Sequence, residues 1–382
     1  MELETELNKL AQNIKALEHQ RSSLGEALKK IKAQIEFPKR DSDIIEDKFV
    51  TKVKPDELKN LKVAAVDGGI VQTKLHGVNL VVGRAAAVVF DFKNGVLFNT
   101  NYYPDAFPSH QLLSFNAPIT DRDYAISISL NRQIMEISTA EKVVSNFSPE
   151  LMLLDGSVLP LAMDKPEKNS PEFKRYENLI QTYLSLYRTC SKKKTQLAGV
   201  IEDSGGLRLT TLLKEKVVPG VIQSSEFDGG IVDVLEQNKS ILENTNDSNV
   251  IFYILDVGER TCVYSYSADP EKHQVLKDLE DYGGKIFSFY LKTVPFDRPI
   301  RIDFVSESDM QEKITKIAND IASKVLAMSM HNETYGFPSI LIEADGRARL
   351  SERDLDLIYH RLKDKVGDLP SLFKLRRELR PF

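Results

Sequence analysis

The sequence predicts an α/β fold: a mixed sheet with flanking helices, added antiparallel strands and an N-terminal helical or coiled-coil appendage. Three observations predict it. Residues 63–66 and 151–154 are continuous apolar runs that each stop at Asp-Gly, the pattern of strands buried on both faces. Between them lie two β-rich runs joined by Asn94-Gly95, then a long segment with helical periodicity. Ahead of all this, residues 1–37 carry an apolar repeat spaced alternately by four and three.

In that repeat, Leu3, Leu7, Leu10, Ile14, Leu17, Leu24, Leu28, Ile31 and Ile35 form the seam, with Arg21 where one apolar residue is missing. The seam serves either an amphipathic helix lying on its own domain or self-association with a partner helix. Ser22-Ser23 and Gly25 are candidate breaks, and Phe37-Pro38 ends the pattern before a charged connector over 39–62.

Val63 to Val66 then reads as a strand with Asp67 at its tip and Gly68-Gly69 forming a turn. Strands over 78–92 and 96–103 complete a three-stranded meander. Thr120-Asp121 starts a helix that runs to about Phe147, with Leu130, Ile134, Ile137 and Val144 on its buried stripe. Glu136 flanks that stripe, so it is either a solvated charge or one that looks over the strand tips. Residues 151–155 give the fourth strand, 171–190 an amphipathic helix ending in Lys192-Lys193-Lys194, and 197–201 a fifth strand. A helix follows over 207–217, then β-rich runs at 250–256, 261–266, 285–294 and 300–305, and a helix over 309–330. An aromatic loop at 332–338 precedes Asp345-Gly346, and Arg376, Arg377 and Arg380 make a basic tail.

The 382 residues suffice for a large core, and 42% hydrophobic with 28% charged residues is ordinary for a globular chain. A net charge of −5 gives no global attraction to polyanions, so DNA binding would rest on local basic groups or on cations held by carboxylates. Cys190 and Cys262 are isolated, which indicates neither zinc nor a disulfide framework. A charged N-terminus and the absence of a long uninterrupted apolar segment, Arg84 breaking the best one, lead us to expect a soluble cytoplasmic protein with reduced thiols.

The order antiparallel meander, helix, fourth strand is that of a ribonuclease H-like core, in which the fourth strand lies parallel to the first. Asp67 and Asp155 would then be neighbours. Two carboxylates a few Å apart both stay ionised near neutrality mainly when a divalent cation lies between them, and hard oxygen ligands select magnesium or manganese. Such ions support phosphodiester cleavage, and Glu136 would complete the site.

The segments VAAVDGGI, LNRQIMEISTAE, LMLLDGSVLP and TYGFPSILIEADGRARL resemble the successive motifs of the NurA nucleases over residues 61–350. The resemblance implies manganese-dependent 5′-to-3′ exonuclease and single-strand endonuclease activity on DNA ends in archaeal break repair. It also implies a homodimer and a hexameric HerA-type translocase as partner. Asp67, Glu136 and Asp155 match the family's metal-binding carboxylates. Asp345 stands where the family usually has a histidine ligand, and Glu202 where it tends to have lysine. On this reading residues 1–60 are the helical appendage and connector, 61–350 the nuclease domain with an inserted β-rich region, and 351–382 a C-terminal helix and basic tail. Arg132 and Lys192 to Lys194 are candidate DNA contacts. Tyr335 and Phe337 belong either to the core or to the translocase-docking surface.

Two rivals remain at this level. VDGGIVQT also resembles the phosphate-binding turn of actin-like ATPases and sugar kinases, which predicts ATP binding, but no convincing late glycine pair precedes a helix. The other is a non-catalytic repair scaffold whose aspartates only form turns.

Overall fold

The computed structural model describes residues 2–37, 43–116 and 120–376, so Arg377 and Arg380 of the basic tail and Pro38 after the heptad lie outside the described residues. The first half of the chain holds α1 (Glu2–Ile31), β1 (Val50–Lys52), β2 (Lys62–Lys74), β3 (Val78–Lys93), β4 (Val96–Tyr103) and β5 (Gln111–Asn116). Next come α2 (Asp121–Phe147), β6 (Leu151–Asp155), α3 (Phe173–Lys193) and β7 (Gln196–Ile201). A run of helices follows: α4 (Arg208–Leu212), a π-helical turn, α5 (Val218–Gln223), α6 (Gly229–Asn238) and α7 (Asp247–Ile254). The chain closes with β8 (Glu259–Thr261), β9 (Tyr264–Ser265), β10 (Ile286–Lys292), β11 (Ile300–Val305), α8 (Gln311–Ser329), α9 (Ser339–Ala348) and α10 (Glu352–Val366).

These elements form two compact units interleaved in sequence. One comprises Met1–Glu57, Val200–Pro270 and Gly284–Pro338; the other comprises Leu58–Gly199, Glu271–Gly283 and Ser339–Phe382. In the first, β1, β8, β10 and β11 follow one another in a sheet with β9 beside β10. Its core gathers Leu24 and Leu28 of α1, Leu212 and Leu213, Val250 and Ile251 of α7, and Tyr264 and Tyr290.

The β-rich run expected at 250–256 is the helix α7 instead. Val250, Ile251 and Ile254 are strand formers by propensity, but they are buried in the core that α1 also fills, and packing outweighs propensity. Gly25 does not break α1 either: a Cβ there would sit 2.5 Å from the Tyr253 Cβ, so the glycine lets α7 approach an unbroken helix.

The second unit is the ribonuclease H-like core. Its strand order is β7-β6-β2-β3-β4 with β5 also on β3. β2, β3 and β4 are antiparallel, and β6 runs parallel to β2 from Val63↔Leu151 to Val66↔Leu154. Asn94 (φ 52°) and Gly95 (φ 81°) make the two-residue hairpin that joins β3 to β4. Thr120 caps α2, its hydroxyl accepting the Asp123 N–H at 3.0 Å, and Leu130, Ile137 and Val144 are fully buried while Ile134 is half-buried.

The expected turn at Gly68-Gly69 does not exist. β2 runs straight through it, pairing Asp67 with Ala86, Gly68 with Ala85 and Gly69 with Arg84. Neither glycine has a left-handed φ, so Asp67 lies inside β2 and no phosphate-binding turn is available at this point. The local Asp-Gly signal is overridden by thirteen residues of pairing with β3.

Candidate active site

Successive strand residues point to opposite faces, so Gly68 and Gly69 open opposite faces of β2. On one face, a Cβ at Gly68 would lie 3.2 Å from Glu136 Oε2 and 3.4 Å from Arg132 Cγ, both on α2. On the other, a Cβ at Gly69 would lie 2.1 Å from the carbonyl oxygen of Ala348, the last residue of α9. Two glycines in a row therefore admit two helices against one strand, one bringing Glu136 and the other Asp345 to the neighbourhood of Asp67. α9 is further held by Tyr102 on β4, whose hydroxyl donates to Glu343 at 2.9 Å, and by the Arg347 guanidinium stacked 4.5 Å from the Tyr102 ring.

The last paired rung between β2 and β6 is Val66↔Leu154, so Asp67 and Asp155 occupy the next rung on strands about 4.8 Å apart. Asp67 is 5% exposed and Glu136 4%, unusual burial for carboxylates. Glu136 Oε2 has no hydrogen-bond partner, and the nearest cation, Arg132 Nη1, stands 3.8 Å away. Burial holds the Glu136 carboxyl well above its usual range; Arg132 offsets this in part, while Asp67 and Asp155 add to it. Asp67 is likewise pushed up by burial and by Asp345, whose carboxyl is within hydrogen-bonding reach, against the Gly68 N–H that donates to Asp67 Oδ1 at 2.6 Å.

These groups fit a divalent cation. A buried carboxylate oxygen without a donor, beside two more carboxylates that repel it, is a hard-oxygen donor set that one guanidinium 3.8 Å away does not neutralise. Among the described residues, no three His, Cys, Asp or Glu side chains stand close enough together to hold a metal ion as they are placed, so a cation would have to draw these carboxylates inward. The carboxylates repel one another, Asp345 acting on Asp67 and both Asp67 and Asp155 on Glu136, and the single guanidinium of Arg132 offsets this only in part.

Of the predicted site residues, Asp67, Glu136, Asp155, Asp345 and Arg132 are brought together. Lys192, Lys193 and Lys194 are not. They are exposed at the end of α3, and the Gln196 N–H that follows them donates to the Glu150 carbonyl just before β6, the strand end opposite Asp155 and about 15 Å from it. In the other unit, Phe337 is buried and Tyr335 exposed, so only Tyr335 presents its ring to solvent. Glu202 is exposed. Sequence reasoning missed Arg84, which joins the α9 side of the site; the signal was a lone charge inside an otherwise apolar strand.

A NurA-domain family model matches residues 61–350, well over half of the chain. The crystal structure of the NurA nuclease from Sulfolobus solfataricus covers 84% of this chain and 90% of its own, with a TM-score of 0.54 at 17% identity, a likeness of fold. A NurA bound to dAMP and manganese aligns over 85% of this chain and 92% of its own at 12% identity, with a TM-score of 0.44. Endonuclease V from Bacillus subtilis aligns over 82% and 88% at 12% identity, with a TM-score of 0.32. No curated protein matches the sequence significantly.

Proposed function

Because this chain belongs to the NurA family of nucleases, we propose that it is a metal-dependent deoxyribonuclease that degrades DNA ends 5′ to 3′ and cuts single strands. The observation that carries this reading is the pair of buried carboxylates Asp67 and Glu136, one Glu136 oxygen without a hydrogen-bond partner, next to the half-buried Asp155 on the rung where β2 and β6 part.

Asp67, Glu136 and Asp155 would hold manganese or magnesium, with Asp345 as a further ligand. Such an ion supplies Lewis-acid polarisation of the phosphate and an ionised water for phosphodiester hydrolysis. The chain's own residues do the rest. Arg132, half-exposed above Gly68, is placed to meet a phosphate oxygen while it tempers the Glu136 charge. The fully buried Val63, Ala64, Ala65 and Val66 behind Asp67 keep water from the far side of the carboxylates, which strengthens electrostatic interactions there. Asp67, whose carboxyl burial holds above its usual range, has to give up its proton when a cation arrives, so affinity for the cation rises with pH.

The partners in this reading are single-stranded and double-stranded DNA ends, a second copy of the chain and a hexameric HerA-type translocase, for which Tyr335 is the exposed aromatic candidate. The test is end-labelled linear DNA incubated with manganese, magnesium or EDTA. We expect metal-dependent degradation, reduced more than about 100-fold in Asp67→Ala and in Asp155→Ala, since lost ligands should cost more than lost outer contacts. Folded variants that degrade DNA as the parent does would exclude this site.

A further inference from the structure

We infer that Arg84 is a positioning residue for Asp345, acting by pinning the C-terminal end of α9 onto the strand that carries Asp67. The inference rests on the carboxylate set being a metal site, and it concerns a residue outside that set.

Arg84 pairs with Gly69 across β2 and β3, two residues along from Ala86, which pairs with Asp67. It therefore points to the same face as Asp67 and Gly69, the face that α9 covers. Its Nε donates to the Ala348 carbonyl at 3.1 Å and its Nη2 to the Arg349 carbonyl. These are carbonyls left open where α9 ends, and a guanidinium is suited to them on two counts: its fork reaches both, and a cation is favourable at a helix C-terminus. The same Ala348 carbonyl is the one that approaches Gly69, so the contact fixes α9 in height as well as along its axis.

Asp345 lies one helical turn before this clamp, and the Arg349 N–H donates to the Asp345 carbonyl at 2.8 Å. The clamped carbonyls and the Asp345 backbone are thus one hydrogen-bonded turn. Without Arg84, Tyr102 still holds the middle of α9 through Glu343 and Arg347, but the last turn loses both its anchors on β3 and can shift by the fraction of an ångström to which a metal ligand is sensitive. Arg84 touches neither substrate nor metal in this scheme; its effect passes entirely through Asp345.

The test is calorimetric titration of the full chain with manganese alone, for the parent, Asp67→Asn, Asp345→Asn, Arg84→Met and the Arg84→Met/Asp345→Asn double variant, each checked by thermal melting. Arg84→Met keeps the apolar stem and removes both donors. We expect Asp345→Asn and Arg84→Met each to weaken manganese binding about 10- to 100-fold, and the double variant to bind no more weakly than Asp345→Asn. A folded Arg84→Met with parental affinity, or a double variant weakened by the product of the single effects, would overturn the inference. If Arg84→Met does not fold, Arg84→Lys, which retains one donor group, should show an intermediate loss that disappears in the Asp345→Asn background; additive loss, or none, overturns it equally. A parent that binds no manganese removes the metal reading and this inference with it. A parent that binds, an Asp67→Asn that does not and an Arg84→Met that binds normally remove this inference alone.

Discussion

At the scale of single residues, Glu136 stores the cost of the site. Its carboxyl is buried with one oxygen unpartnered, and burial raises its pKa above that of the unfolded chain. A raised carboxyl pKa means that folding takes up a proton. The associated stability is fully present below the unfolded pKa and is lost as pH rises through the folded one. In EDTA the melting temperature should therefore fall from mildly acidic to alkaline pH. Glu136→Gln removes the charge and keeps the shape. It should be more stable than the parent at pH 8 by about 1–3 kcal/mol, the scale of a buried unsatisfied group, with a gap that narrows toward pH 5. Melting curves at the two pH values check this, and a variant less stable than the parent at pH 8 would show that the charge is compensated. Manganese at a hundredfold excess over its Kd at pH 8 should stabilise the parent by about 2.7 kcal/mol at that pH, and the same concentration should stabilise it less at pH 5.

At the scale of elements, the two glycines of β2 differ in what they face. A methyl at Gly69 meets the rigid backbone of Ala348 at 2.1 Å, whereas one at Gly68 meets the movable end of Glu136 at 3.2 Å. Gly69→Ala should cost about 1–3 kcal/mol as α9 is pushed off the sheet, and Gly68→Ala much less; thermal melting in EDTA separates them, and equal losses would mean that α9 yields freely. This pair also marks how far the sequence was legible. The Asn94-Gly95 hairpin, the Thr120 cap and the apolar runs before Asp67 and Asp155 are local signals, and each specified its element, the last three also placing Glu136, Asp67 and Asp155. Gly68-Gly69 carries the same local signal as a turn, but its cause is non-local: helices from residues 121–147 and 339–348 that must reach one strand. For the same reason α7 read as a strand from its own residues, although its conformation is decided by packing in the α1 core. Arg84 was visible only as a charge in the wrong place, because its partners are carbonyls and leave no mark in the sequence.

At the scale of the whole molecule, the heptad seam of α1 divides in two. Leu24, Leu28 and Ile31 are buried in their own unit, whereas Leu3, Leu7, Leu10, Ile14 and Leu17 are exposed by 39% to 69%. The reading as a helix lying on its own domain holds for the second half, and the exposed first half is where the proposed self-association would act. An apolar stripe over more than four turns of exposed helix is the kind of surface that a second copy of the same helix covers, each knob of one fitting between residues of the other. The proposed homodimer predicts light scattering at twice the 43.2 kDa chain mass. Leu7→Lys with Ile14→Lys should give monomers, since a charge at a seam position is desolvated only in the pair. The melting temperature of the monomer should be little changed when the two forms are compared at high dilution, because neither residue is buried within the chain. The four carboxylates all lie in the unit formed by Leu58–Gly199, Glu271–Gly283 and Ser339–Phe382, so the monomer should still bind manganese. A double variant that remains dimeric would move the contact away from α1, and one that is monomeric but binds no manganese would mean that the second copy contributes to the metal site.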